Sequence, residues 1–445
     1  MFLEEIYENS RRLGQRTALA AGEQEICWGQ LWPMAMGLAA RLRRQGTGPV
    51  ALDGGTDLWV PTAMVACLIA GRPYLPLHPA LPPAARRQRL TAARAQLLTR
   101  EEAQAGFASG EVCPVACDPD REIYRMYTSG STGVPKPVAI TQRNLESFLR
   151  WARRLPEIQA GAEGVAVGQA SYAFDLSVAD LYLALTCGGT HRSLTESEKS
   201  DPVRRVERLT GCGLSLLVTT PSFLRVLLTD RLALAGRLEH FRAVFCCGEE
   251  LPPAVARRFL ETFPHVALYN AYGPTEATCA VSAARITLAE CGGPLPIGRL
   301  DRCAVAVTVE GGEIFLQGES VAPAFGGIYA TGDLGRTEGE MLYWLGRKDH
   351  QLKYKGYRVE PAEIERALES LPGVERAAVV PRRGGGDIRG LVAFIVGESG
   401  ADGLAAALSQ RRLPSYMIPG QWRSVARLPL TPNGKCDRKL LEEMV

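Results

Sequence analysis

Along most of the chain, short apolar runs alternate with stretches whose apolar residues recur every three to four positions. That is the pattern of strands buried on both faces between amphipathic helices. The runs 164–168, 214–219, 243–247 and 266–269 predict strands, and 253–263 and 176–185 predict helices between them. The expectation is an α/β fold: a large N-terminal domain with mixed, largely parallel sheets and flanking helices. Around Gly346-Arg347-Lys348-Asp349 the rhythm changes. A strand over 351–354, a helix over 361–371 and strands over 375–380 and 391–396 predict a small α+β C-terminal lid domain. The predicted division is therefore 1–348 and 349–445, with neither internal repeats nor low-complexity segments.

Composition narrows the class. The 445 residues are 46% hydrophobic and 22% charged, which excludes wholesale disorder and suits more than one core. The net charge of +3 is small for this length. Arginines cluster at Arg41, Arg43, Arg44 and at Arg86, Arg87, Arg89, both on helical patterns without interleaved aromatics, and are expected to be solvated faces rather than a nucleic-acid site. The start, Met1-Phe2-Leu3-Glu4-Glu5, is acidic where a secretory leader needs base, and no apolar run is long enough for a membrane span. The 12 cysteines follow no framework: Cys113 and Cys117 are a near pair, but neither a second pair nor a histidine pair completes a zinc site. With 5 histidines, a metal held by protein ligands alone is not expected. Cysteines serving as small core residues and a cytoplasmic setting are.

One segment carries distinct chemistry. Residues 127–136 read Tyr-Thr-Ser-Gly-Ser-Thr-Gly-Val-Pro-Lys. Glycines allow the backbone to turn its N–H groups inward, hydroxyls add donors, and Lys136 adds a positive charge, which together suit a polyphosphate. A plain surface loop remains the alternative, since Ser, Thr and Gly dominate loops. The order of a Walker loop is absent, which disfavours a P-loop NTPase.

The same loop resembles the phosphate-binding signature of the adenylate-forming superfamily, which includes peptide-synthetase adenylation domains, acyl-CoA synthetases and luciferases. Further motifs of that superfamily follow in order: Asn270-Ala-Tyr-Gly-Pro-Thr-Glu276, Tyr329-Ala-Thr-Gly-Asp333, Gly346-Arg-Lys-Asp349, Lys355-Gly-Tyr-Arg358 and Pro432-Asn-Gly-Lys435. Within it, Phe174-Asp-Leu-Ser-Val178, Thr220-Pro-Ser-Phe223, Phe245-Cys-Cys-Gly-Glu249 and Pro414-Ser-Tyr-Met-Ile-Pro419 resemble the D-alanine–carrier protein ligases. The resemblance implies activation of D-alanine by ATP and Mg²⁺ as an adenylate, then transfer to the phosphopantetheine thiol of a carrier protein in teichoic-acid D-alanylation.

It also implies roles residue by residue. Thr128, Ser129, Gly130, Ser131, Thr132, Gly133 and Lys136 would hold the phosphates, with Gly248, Glu249, Gly273 and Thr275 contributing to the nucleotide site. Asn270, Ala271 and Tyr272 would lie against adenine, Asp333 would hold the ribose hydroxyls and Arg347 would sit nearby. Glu276 would coordinate Mg²⁺. Lys435 would catalyse adenylate formation, and the stretch around Lys355 would replace it for thiol transfer after rotation about the hinge Asp349. Asp175 would pair with the substrate ammonium, since a cation entering an apolar pocket needs a carboxylate. On the residues alone, Asp175 equally reads as the N-cap of helix 176–185. Cys247 would crowd the substrate's α-carbon and select the D configuration, with Val281 also lining that pocket. A buried strand-end cysteine is its plain alternative.

The chain departs from its relatives in places. Pro137 follows Lys136 where glycine is usual, which stiffens the loop's exit. Ala330 follows Tyr329 where a basic residue is usual, and the stretches 318–330 and 100–121 look shortened. Two rivals stand beside D-alanine activation: a free-standing adenylation enzyme for glycine, L-alanine or serine, and a catalytically degenerate nucleotide-binding relative.

Overall fold

The computed structural model describes residues 2–53, 55–108, 110, 114, 116–128, 136–234, 236–349, 351–355, 357–384, 387–397, 403–410, 413–430 and 436–445. The chain divides into two compact units. The larger holds residues 1–79, 93–126 and 138–348, and the smaller holds 80–92, 127–137 and 349–445.

In the larger unit an eight-stranded sheet runs Ser282–Ile286, Ala267–Tyr272, Ala243–Cys246, Leu214–Thr219, Val165–Gly168, Thr190–Ser193, Thr17–Ala21, Gln24–Cys27. Its inner strands pair in parallel, while Ser282–Ile286 and Gln24–Cys27 pair antiparallel at the edges. The parallel strands Leu214–Thr219 and Ala243–Cys246 are buried along their whole length, which is why they read as unbroken apolar runs. The helix Leu176–Cys187 is buried nearly throughout because most of its residues, on all sides, are apolar. It ends at Gly188, whose φ of +76° suits a residue without Cβ and whose N–H returns to Ala184 O.

A second sheet orders Gln96–Leu98, Val50–Asp53, Tyr74–Leu77, Glu122–Thr128 and Lys136–Thr141. Pro137 thus falls near the start of an edge strand, where a missing N–H costs least. The third sheet, Pro296–Arg299, Met341–Arg347, Ile328–Glu338, Glu313–Gln317, Ala306–Glu310, is antiparallel throughout. The architecture is the expected mixed, largely parallel α/β arrangement with a smaller α+β unit.

The smaller unit packs the helix Pro361–Glu369 on the hairpin Val374–Gly384/Asp387–Gly397, which the strand Gln421–Ser424 extends in parallel. Both hairpin strands are longer than the apolar runs predict, since their polar ends continue the ladder. The last helix, Arg438–Glu443, is fastened by a fork. Arg438 donates from Nη1 to Glu365 Oε1 at 2.6 Å and from Nη2 to Glu365 Oε2 at 2.7 Å. Glu365 in turn accepts from Val379 N at 2.7 Å. Arg438→Leu strands that buried carboxylate, so the smaller unit should lose about 2–3 kcal/mol, read as a lowered denaturation midpoint. An unchanged midpoint would show the fork to be incidental.

Not every arginine stands in solvent as the sequence suggests. Arg43 Nη2 donates to Ile69 O at 2.9 Å, and the Arg89 guanidinium lies 5.0 Å over the Tyr127 ring. Long arginine stems pack and their planar heads stack, so a helical charge cluster is no guarantee of solvation.

Candidate active site

Parallel strands in register bring their carboxyl ends to one edge, and the loops that leave there collect sequence-distant residues. Cys246 pairs with Asn270, Thr219 with Cys246, and Val218 with Gly168. Cys247, Gly248 and Glu249 therefore leave one strand beside Asn270 to Gly273 on the next, and Asp175 follows Gly168 on the same side.

Two groups form. The first centres on Cys279, which is 3% exposed and has φ of +69°. Cys247 Sγ donates to Cys279 O at 3.9 Å. Burial raises the Cys279 thiol well above its ordinary range, and the charge of Asp175 adds to that, followed by Cys247 and Asp180. Tyr124, fully buried, is likewise raised by burial first and by Asp175 next. Cys247 thus touches, and the charge of Asp175 acts on, one residue that sequence reasoning missed. The Asp175 side chain makes no cap hydrogen bond to the helix that follows, and its backbone is helical where a capping residue is extended. The capping alternative is therefore set aside. Val281 is fully buried and hydrogen-bonds through its N–H to Tyr272 O at 2.8 Å.

The second group centres on Asp333, which is 2% exposed. Its Oδ2 accepts from the Tyr272 hydroxyl at 2.7 Å. Its Oδ1 accepts from Arg347 Nη1 and from Trp344 Nε1, both at 3.1 Å. Asp333 pairs with Arg347 across the hairpin Ile328–Glu338/Met341–Arg347, which fixes the ion pair. Burial raises the Tyr272 phenol well above its usual range, with the Asp333 carboxylate as the next cause. A carboxylate offers about four acceptor positions, so these three donors leave roughly one for a ligand hydroxyl. Trp344 was not anticipated; the signal was its place on the strand opposite Asp333, visible only once hairpin register is known.

Other expected residues fall between these groups or beside them. Asn270 Nδ2 donates to Pro296 O at 2.8 Å, tying two sheets together. Ala271 is buried within its strand. Gly273 admits no side chain: a Cβ there would lie 2.5 Å from Ala280 Cα and 2.9 Å from Cys279 O. Gly248 has φ of +97°, which an L side chain rarely adopts. Glu249 Oε2 accepts from Ser222 N at 2.8 Å, at the start of the helix Pro221–Thr229. Thr275 opens a short 3₁₀ turn that carries Glu276, which is 5% exposed.

In the smaller unit Thr128 is buried at the end of its strand and Lys136 is exposed. Lys355 has φ of +53° and is exposed, with Nζ 5.1 Å from the Tyr354 ring centre. Asp349 Oδ1 accepts from Gln351 N at 3.2 Å. Ser129, Gly130, Ser131, Thr132, Gly133 and Lys435 lie outside the described residues, as does Cys113.

Among the described residues, no group of three or more His, Cys, Asp or Glu could hold a metal ion. A single buried carboxylate such as Glu276 still fits Mg²⁺, which takes one or two protein carboxylates and completes its shell from phosphate and water oxygens. No described helix is long and apolar enough to cross a membrane.

Buried acids, a glycine-lined backbone and the order of the motifs agree with what comparison shows. The AMP-binding enzyme pattern matches residues 6–112 and 98–325, and the C-terminal domain pattern of the same enzymes matches 363–435. The chain belongs to the AMP-binding enzyme family. It is similar to the D-alanine--D-alanyl carrier protein ligase of Bacillus licheniformis, with 31% identity over 500 positions, covering all of this chain and 99% of that protein. The ligase of the same name from Bacillus cereus is 36% identical over 357 positions, 72% of this chain and 70% of that protein. The first alignment runs longer than this chain's 445 residues, so it opens gaps on this side. Among solved structures, the Vibrio cholerae adenylation domain AlmE, in complex with glycyl-adenosine-5'-phosphate, matches with a TM-score of 0.86 at 22% identity. That match covers 100% of this chain and 97% of the other, and carries the fold alone.

Proposed function

We propose that the protein activates D-alanine with ATP and passes it to the phosphopantetheine thiol of a carrier protein. The observation that carries this reading is the contact of Cys247 with Cys279, on which the charge of Asp175 also acts, beside strands that deliver Tyr272. A carboxylate in a mostly apolar setting is what an ammonium requires and what a fatty acid does not. Cys247 and Cys279 are both buried, and a relative named for D-alanine is similar over the whole chain, which supports a small side chain.

In the first half-reaction the amino-acid carboxylate attacks the α-phosphorus of ATP and pyrophosphate leaves. The barrier is charge repulsion and positioning, so fixed cations and donors do the work. Asp175 would hold the ammonium and Asp333 the ribose, with Arg347 fixing Asp333 in place. The adenine would lie along Asn270, Ala271 and Tyr272, with Gly248, Glu249, Gly273 and Thr275 around the nucleotide. The loop Thr128 to Lys136 would take the phosphates, and Lys435 would bridge the carboxylate and the α-phosphate. Glu276 would hold Mg²⁺, which supplies neutralising charge on the triphosphate. In the second half-reaction the thiol attacks the adenylate carbonyl and AMP leaves, with Lys355 near the reaction and Asp349 as the hinge.

Cys247 gives the reading its chirality. Replacing it with alanine opens the space an L side chain would occupy. Cys247→Ala should reduce the D-over-L preference in kcat/KM about tenfold, the scale of a single small-group change in an apolar pocket. The measurement is amino-acid-dependent exchange of pyrophosphate into ATP with each enantiomer of alanine. An unchanged ratio would remove Cys247 from the selection.

A further inference from the structure

The segment that carries Asp175 meets one buried imidazole on both sides, through a hydrogen bond before it and a close contact without a hydrogen bond after it. Before it, Tyr172 is 1% exposed and its hydroxyl lies 2.9 Å from His191 Nε2 and 2.6 Å from Ser193 Oγ. After it, Asp180 is 2% exposed on the helix Leu176–Cys187, with Oδ2 3.4 Å from His191 Nδ1. His191 and Ser193 share one face of the strand Thr190–Ser193, as residues two apart do, and His191 Nε2 lies 3.0 Å from Ser193 Oγ. Room for the Asp180 carboxylate comes from Gly168 at the end of the adjacent strand, where a Cβ would fall 1.5 Å from Oδ2.

Stability alone does not explain this cluster. Burial holds the Asp180 carboxyl well above the usual carboxylate range and pushes His191 down to about 3. Asp180 Oδ1 and His191 Nδ1 have no hydrogen-bond partner. Burying polar atoms without partners costs free energy that an apolar core of the same shape would not. Asp180 is the one charged residue of this otherwise largely apolar helix. What the cluster does achieve is geometric. Between its anchors the backbone makes a compact turn, with Phe174 N on Ser171 O at 2.9 Å, Ser177 N on Phe174 O at 3.1 Å and Val178 N on Asp175 O at 2.9 Å. A turn hydrogen-bonded at the Tyr172 end and packed against the imidazole at the Asp180 end leaves Asp175 little freedom.

We propose that Tyr172, His191, Ser193 and Asp180 form a buried strut that fixes Asp175 for the substrate ammonium, so that Tyr172 and His191 are positioning residues of the amino-acid half of the site. The proposal rests on the amino-acid reading of Asp175 given above. A carboxylate that wanders loses the ammonium without disturbing the nucleotide, because Asp333 and its partners belong to a different group of contacts.

Tyr172→Phe deletes one oxygen and keeps the ring, so the fold is retained. In pyrophosphate exchange its KM for the amino acid should rise about tenfold while its KM for ATP changes by less than about twofold. In an Asp175→Ala background the same substitution should change neither. His191→Gln should act in the same direction as Tyr172→Phe. Hydrogen exchange, read on the same proteins without substrate, should speed up at the amides of 171–178 and stay unchanged in the strands. Equal changes in both KM values, or unchanged amide exchange over 171–178, would overturn the strut. Wild-type protein that exchanges pyrophosphate with no amino acid would instead overturn the functional reading, and the amide exchange would still decide the tether.

Discussion

Lys435→Ala is expected to lower amino-acid-dependent pyrophosphate exchange by about 10²–10³-fold, the range seen when one fixed stabilising donor is removed from a developing charge. ATP affinity should stay within about threefold, because this lysine would act where the carboxylate meets the α-phosphate rather than on the adenine or ribose. The lysine lies outside the described residues, but the chain just beyond it is anchored by the Arg438–Glu365 fork. Titration calorimetry with ATP alone, beside the exchange assay, separates the two effects. Retained exchange would remove Lys435 from the chemistry, and lost ATP binding would make it a nucleotide ligand instead.

Asp175→Ala should act on the other substrate. Its charge acts on two buried groups, Cys279 and Tyr124. An ammonium brought there without a partner loses a charge-assisted hydrogen bond and stays desolvated. The expected cost is about a hundredfold in kcat/KM for the amino acid. KM for ATP should hardly move. Asp175→Asn, which keeps the shape and removes the charge, should fall nearly as far. If both variants keep the parent kcat/KM, the ammonium is bound elsewhere.

Much of the fold was legible because the physics behind it is local. The strand Leu214–Thr219 and the helix Pro253–Thr262 follow directly from apolar periodicity and from the proline that opens the helix. Ends were less legible where polar residues carry on a ladder: Ala267–Tyr272 continues past its apolar run because Ala271 and Tyr272 pair with Ala283 and Ser282. The site was legible as motifs but not as geometry. Tyr272, Asp333 and Arg347 could be named separately, yet the hydroxyl-to-carboxylate bond between residues so far apart needs the fold. Trp344 and Cys279 were invisible because neither lies in a position that any single-chain pattern marks. Asp175 shows the limit of local reasoning. Its sequence setting suits an N-cap, but its φ of −64° and ψ of −21° are helical and its side chain makes no cap hydrogen bond.

The shortened stretch between Gly318 and Ala330 also resolves into something definite. The strands Glu313–Gln317 and Ile328–Glu338 are joined by residues 318–327, which include the 3₁₀ turn Pro323–Phe325. That connection is tied down where Asn144 Nδ2 donates to Glu319 O at 2.6 Å and to Val321 O at 3.1 Å. Thr278 Oγ1 also donates to Ser320 O at 2.8 Å, so the short connection supports the segment that carries Glu276 and Cys279.

The central claim is activation of a small amino acid, D-alanine first, and pyrophosphate exchange into ATP measures it most directly. With the purified full chain, ATP and Mg²⁺, D-alanine should drive exchange at least about tenfold better in kcat/KM than L-alanine, glycine or L-serine, the discrimination a small crowded pocket can supply. Stronger exchange with glycine or an L-amino acid would contradict the choice of substrate, and no exchange with any of the four would contradict the claim itself.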